Sequence, residues 1–180
     1  MQQEEEAELV RQLRNPKECR KAFSKVIAAY SEPLYWQIRK LVVNHEDAND
    51  LLQNTFLKAW SNIENFRGDA KISTWLYKIA INESITFLNK ERQRLNVSLD
   101  DGDTFLIDNL TSDEWFDGDE LQAELQKAIS KLPEKQRLIF NMRYFDEMKY
   151  EDISEILGTS VGALKASFHH AVKKIEQYFQ

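Results

Sequence analysis

Cysteine occurs once in these 180 residues, at Cys19, and glycine, proline and histidine are scarce at five, three and three. A lone thiol closes no internal disulfide, and without clustered partners it anchors no zinc site, so covalent and metal staples are excluded. The histidines stand at 45, 169 and 170. Adjacent helical positions point about 100° apart, which keeps His169 and His170 from easily sharing one metal ion. There is no glycine-rich phosphate loop and no Ser/His/Asp arrangement, so the expectation is a protein that is not an enzyme, with no cofactor and no small-molecule substrate. Long apolar runs are missing too. Stretches such as 41–43 and 138–140 fall far short of the ~20 residues that cross a bilayer, and the N-terminus is acidic rather than signal-like, so a cytoplasmic protein is expected. At roughly 100–200 residues per domain, the length allows one ordinary domain or two small ones.

What is present is Leu, Lys, Glu, Ala and Ile in abundance, which with so few turn formers predicts an all-α fold. The formal net charge of −6 at first sight opposes a nucleic-acid partner, because polyanion binding rests on positive charge. Its distribution reverses that. Residues 1–94 carry 15 basic and 13 acidic side chains, residues 95–126 none and 10, and residues 127–180 nine and seven. The acidity lies in NVSLDDGDTFLIDNLTSDEWFDGDE, which has Gly102, Gly118 and no sustained helical periodicity until about Glu120. Residues 95–119 therefore read as a flexible acidic linker between a domain at 1–94 and a domain at 120–180. Its Phe105, Leu106, Ile107, Trp115 and Phe116 are unusual for a pure spacer and leave room for docking on a partner.

Helices are expected near 5–13, 17–43, 46–62 and 73–93. In the third, Ala48, Leu51, Leu52, Thr55, Phe56, Ala59 and Trp60 recur at three- and four-residue steps and form a core stripe, leaving Asp47, Asp50, Gln53, Asn54 and Lys58 on the other face. Residues 67–70 break the pattern, and Ser73 is expected to cap the next helix, whose apolar set is Ile72, Trp75, Leu76, Ile79, Ala80 and Phe87. Beyond the linker, a helix near 120–132 is followed by one whose first turn suits Pro133, running to about 145. A third at 150–157 stops at Gly158, and a fourth covers 161–179.

EDISEILGTSVGALKASFHHAVKKI has the layout of a helix-turn-helix: a short helix, a three-residue turn with Gly, and a longer helix of major-groove diameter. By spacing, Ser160, Gly162, Ala163, Lys165, Ala166 and His169 face outward, with His170, Lys173 and Lys174 further along. Lys165 is the best single candidate for a base or phosphate contact. An ordinary helical hairpin in a small bundle is the plainer alternative. Upstream, FRGDAKISTWLYKIAINESITFLNKERQR interleaves Phe66, Trp75 and Tyr77 with Arg67, Lys71, Lys78, Lys90, Arg92 and Arg94. Aromatic faces that stack bases and cations that follow a backbone suit single-stranded DNA. Against that, Trp75 and Phe87 also suit a core.

Taken together these residues resemble a bacterial RNA polymerase sigma factor of the extracytoplasmic-function (ECF) group, in the sigma-70 family, from about Ala22 to Phe179. Asp50-Leu51-Leu52-Gln53 and Phe56-Leu57-Lys58-Ala59-Trp60 are similar to sigma region 2, where the family binds the β′ clamp helices of core polymerase. The resemblance assigns that contact to Asp47, Asp50, Leu51, Gln53, Asn54 and Lys58. Ser73 through Ala80 with Asn82 resemble the minus-ten reading and melting element, implying roles for Arg67, Gly68, Asp69, Lys71, Trp75, Lys78 and Asn82. Leu132-Pro133-Glu134-Lys135-Gln136-Arg137 through Lys174 resemble region 4, which reads the minus-thirty-five element. There the implied contacts are Arg137, Thr159, Ser160, Gly162, Ala163, Lys165, Ala166, His169, His170 and Lys173. The implied fold is a region 2 helical bundle and a region 4 helix-turn-helix, and the implied partners are core RNA polymerase (β′ clamp helices and β flap), promoter DNA and an anti-sigma factor. Members often carry a basic residue where Ile81 stands, Asp at Thr86, and Arg at Ser167, His170 and Val172, so fewer phosphate contacts are expected here. Two other readings of the same residues are a stand-alone helix-turn-helix repressor or activator, which binds duplex DNA by itself, and a helical adaptor, for which the Asp50/Gln53 face is a protein-only interface.

Overall fold

A computed structural model describes residues 3–42, 44–95 and 120–180, so all of the expected linker at 95–119 but Leu95, which ends a helix, lies outside the described residues together with its apolar side chains. Among the described residues there are α-helices and one short 3-10 turn, and no strand. The N-terminal half contains α1 (Gln3–Leu13), α2 (Cys19–Val42), α3 (His45–Ser61), a 3-10 turn at Ile63–Asn65, and α4 (Ile72–Leu95). The C-terminal half contains α5 (Glu120–Ser130), α6 (Glu134–Tyr144), α7 (Tyr150–Leu157) and α8 (Val161–Tyr178).

Helix ends follow side-chain chemistry. The Asn44 side chain accepts the amides of Glu46 and Asp47, satisfying two of the unpaired donors that open α3, and the acidic first turn complements the helix dipole. Ser160 does the same for α8 by accepting from the Ala163 amide. Gly158 closes α7 at φ 62°, a left-handed conformation that costs glycine nothing. Two expected caps are corrected. Pro133 is the residue before α6 rather than in its first turn. Ser73 lies inside α4, which starts one residue earlier because the Glu6 carboxylate of α1 accepts the Ile72 amide at 2.9 Å.

α2, α3 and α4 pack side by side, with Leu34, Ile38, Ala48, Ala59, Ile72, Leu76 and Ala80 fully enclosed. This core does not end at the half. Leu138, Ile139 and Met142 of α6, Ile153 and Ile156 of α7, and Leu164 of α8 belong to the same continuous apolar cluster. A second cluster of Ile129, Leu132, Phe140 and Ala171 is confined to the C-terminal half. The two halves therefore meet across a sizeable interface, α7 against α4 and α6 against α2, reinforced by the pairs Lys40–Asp146, Arg92–Glu134 (2.5 Å) and Lys71–Asp152 (3.9 Å).

Candidate functional site

Three surfaces carry the residues singled out above. On α3, Asp50, Gln53 and Asn54 are exposed as expected. Asp47 is half-buried, and burial first, then the nearby Glu91, Asp50 and Glu46, pushes its carboxyl above the usual range. Leu51 is corrected: it is buried in the core at 5% exposure and cannot touch a partner. Lys58 is exposed but reaches across to Glu83 of α4. Trp60, assigned to the core stripe, is instead 41% exposed, and Leu57 is 59% exposed. Together with Ile27 of α2 they edge an apolar groove of about 670 Å³, floored by Phe23 and Phe56, with Gln53 at its side. The signal was in the spacing. Gln53, Leu57 and Trp60 stand four and seven residues apart, one helix face, so the wheel that exposes Gln53 exposes both apolar residues too.

The second surface is the loop between the 3-10 turn and α4. Arg67, Gly68, Asp69 and Lys71 are all exposed and line a cavity of about 950 Å³. Gly68 has φ 79°, and a Cβ there would lie 2.8 Å from Cγ1 of Val10, so the loop closes tightly on α1. The opposite wall comes from Glu6, Ala7 and Val10 of α1, Arg14 just beyond it and Tyr30 of α2, which no sequence pattern had connected with this loop. Trp75 is half-buried with its ring 4.7 Å from that of Phe66, so it is largely a packing residue. Lys78 and Asn82 are exposed on α4.

The third surface is the helix-turn-helix of α7 and α8. Ser160, Gly162, Ala163, Lys165, Ala166, His169, His170 and Lys173 are exposed along one side of α8, while Leu164 and Ala171 face inward. Thr159 is half-buried, donating to the Leu157 carbonyl. Arg137 is corrected: at 2% exposure it is enclosed, with its guanidinium donating to the Ser130 carbonyl at 3.3 Å, so it ties α6 to the end of α5 instead of reaching a phosphate. Ile81 is buried and Val172 packs on the second cluster, so their lack of charge removes no surface contact at those two positions.

The description "Sigma-70 region 2" matches residues 26–94, and "Sigma-70, region 4" matches residues 122–175. The chain is 30% identical to the RNA polymerase sigma-H factor of Pseudomonas aeruginosa over 99% of this chain and 95% of that protein. It is also 30% identical to the ECF RNA polymerase sigma factor SigW of Bacillus subtilis, over 82% and 83%. The chain belongs to the ECF group of the sigma-70 family. The fold is shared with the sigma factor RpoE solved in complex with the anti-sigma factor NepR from Bartonella quintana (TM-score 0.68, 21% identity, 88% of this chain and 97% of that one). It is shared also with CnrH in complex with the cytosolic domain of CnrY (TM-score 0.69, 18% identity, 97% and 96%). In this sigma factor the region 2 match takes in most of α2, all of α3 and nearly all of α4, and the region 4 match runs from α5 to α8. Helix α1, which supplies one wall of the cavity, precedes the region 2 match. Among the described residues no helix is long and apolar enough to cross a membrane.

Proposed function

We propose that this sigma factor binds core RNA polymerase in the cytoplasm and directs initiation at selected promoters, with 1–94 as the polymerase-binding and minus-ten domain and 120–180 as the minus-thirty-five domain. The observation that carries the reading is the capped helix-turn-helix with one uninterrupted exposed side on α8, in a chain whose other half carries a loop-lined cavity and an apolar groove. The exposed Asp50, Gln53 and Asn54 dock on the β′ clamp helices, and Leu57, Trp60 and Ile27 add the desolvated centre that a polar rim alone lacks. The loop at 67–72 takes a base extruded from the minus-ten strand, with Lys78 and Asn82 following the strand along α4. Extrusion costs a few kcal/mol, which the cavity and the clamp contact together offset. The exposed side of α8 enters the major groove of the minus-thirty-five element, with Lys165 near base edges and Lys173 toward phosphates, while the C-terminal domain meets the β flap.

RpoE and CnrH are named in complexes with NepR and CnrY, an anti-sigma factor and a cytosolic domain. A partner of the same kind for this chain is part of the proposal, and the groove of Ile27, Leu57 and Trp60 is a surface whose coverage blocks polymerase. Run-off transcription with reconstituted core polymerase tests the whole reading. A promoter-specific transcript that depends on the chain is expected. No such transcript, together with tight duplex binding by the free chain, would establish the repressor reading instead. Asp50→Ala combined with Gln53→Ala is expected to weaken polymerase binding without changing the melting temperature.

A further inference from the structure

Helix α1 and the minus-ten loop are built against each other. The Glu6 carboxylate is fixed by the Ile72 amide at 2.9 Å, the Val10 methyl leaves no room for a side chain at Gly68, and both α1 residues line the same cavity as Arg67 and Lys71. The cavity, at about 950 Å³, falls within the ~300–1,000 Å³ typical of sites that enclose a ligand-sized group. An ionised carboxylate only accepts hydrogen bonds, and it has about four acceptor positions, of which the Ile72 amide uses one. Tyr30 lines the same wall, and burial, then the Glu6 charge, pushes its phenol up to about 12.

Resting on the sigma-factor reading above, we propose that Glu6 is a specificity-determining residue for the minus-ten strand. Its remaining acceptor positions take a hydrogen bond from the exocyclic amino group of the base held between α1 and the loop. The pocket then favours a base that carries an exocyclic amino group, cytosine (N4), adenine (N6) or guanine (N2), over thymine, which carries none. The cations Arg14, Arg67 and Lys71 on the cavity's rim balance Glu6 and Asp69, so the strand's phosphates are not repelled while the base edge is read.

Glu6→Gln makes a sharp test. The Ile72 amide still demands an acceptor, so the new amide presents its oxygen there and turns its NH2 group into the cavity, replacing an acceptor with a donor. Holoenzyme assembled from core polymerase and the full chain is assayed on a promoter library randomised through the minus-ten element, with transcripts counted by sequencing. The wild type is expected to disfavour thymine at one position by about tenfold against cytosine, adenine or guanine, the order of a charge-assisted hydrogen bond, and Glu6→Gln to abolish or reverse that discrimination. Equal base preferences for the two proteins refute the assignment of Glu6 while leaving the sigma-factor reading intact. No selective transcription by the wild type refutes both. Should Glu6→Gln fail to fold, the wild-type holoenzyme alone decides the matter. Replacing the favoured cytosine by pyrimidin-2-one, adenine by purine, or guanine by hypoxanthine removes the amino group, and transcription should fall about tenfold; an unchanged yield overturns the proposal.

Discussion

Removing the Lys40 ammonium while leaving Asp146 in place should separate the two halves of the free chain. The two side chains are 17% and 16% exposed, and they bridge α2 to the segment just after α6. Asp146 is held above the ordinary carboxylate range because burial outweighs the hydrogen bond and charge of Lys40, and its Oδ2 finds no protein partner. Its ionised form is thus poorly accommodated even when paired. Deleting one member of a buried pair costs ~3–5 kcal/mol where the survivor must stay charged. Here the survivor can take up a proton, so Lys40→Met should weaken the closed arrangement at neutral pH by roughly 2–3 kcal/mol. Adding Asp146→Asn removes the stranded charge and should recover most of that loss, to within about 1 kcal/mol. The pH dependence has a definite sign. The closed form binds the Asp146 proton more tightly than the open form, so the contribution of this group is greatest at low pH and declines as pH rises from the ordinary aspartate value through the raised one. Lys40→Met, which deletes a lowering influence, shifts that window upward, and acidification toward pH 5 should close the variant again. Energy transfer between dyes at Glu64→Cys and Glu176→Cys in a Cys19→Ser background reads the separation. A Lys40→Met protein as closed as the wild type at pH 7.5, or one that Asp146→Asn opens further, would refute the reasoning.

Three further outcomes follow from single contacts. Gly68→Ala meets both a left-handed backbone and the Val10 methyl at 2.8 Å, so a stability loss of about 1–2 kcal/mol is expected in chemical denaturation. Ser160→Ala deletes the α8 cap and should cost ~1 kcal/mol, with faster hydrogen exchange in the first turn of that helix. Leu57→Asp alters a side chain that is 59% exposed, so the melting temperature should hold while core-polymerase affinity falls at least tenfold; unchanged affinity would remove the groove from the docking surface.

The helices were legible because their apolar spacing is local and Gly158 marks the end of α7; the caps Asn44 and Ser160 are equally local, each reaching an amide three residues on, yet apolar spacing alone does not reveal them. The misplacements share a long-range cause. Ser73 lost the capping role to Glu6, 66 positions away, and no local pattern encodes that reach. Arg137 reads as a surface cation because its type usually is one, yet it is enclosed and serves the Ser130 carbonyl. Trp60 is different. Its four-residue step from Phe56 placed it on the core stripe, although its seven-residue spacing from Gln53 also placed it on the exposed face, and the second relation prevailed because Trp60 stands at the stripe's edge. The sharing of one core by both halves had no signal at all, since Leu138 and Ile153 show an apolar face without naming what covers it.

The balance of charge sets how DNA affinity should respond to salt. Of the cations outside the acidic segment, Lys40, Lys58, Lys71 and Arg92 are engaged with carboxylates of other helices or of their flanking segments. On the exposed side of α8 the positive charge comes down to Lys165, Lys173 and Lys174, with Lys165 also 5.7 Å over the Tyr150 ring. Each lysine that neutralises a phosphate releases counterions and steepens the log–log salt dependence by about 0.9. Replacing all three by alanine in the holoenzyme should therefore flatten the slope of promoter binding by up to about 2.7. A change near zero would mean that α8 is held by contacts other than phosphate charge, and would move the region 4 anchor elsewhere. A much larger change would mean that removing them releases the helix-turn-helix from the duplex altogether. The intermediate value is what three outward lysines on an otherwise nearly neutral half dictate.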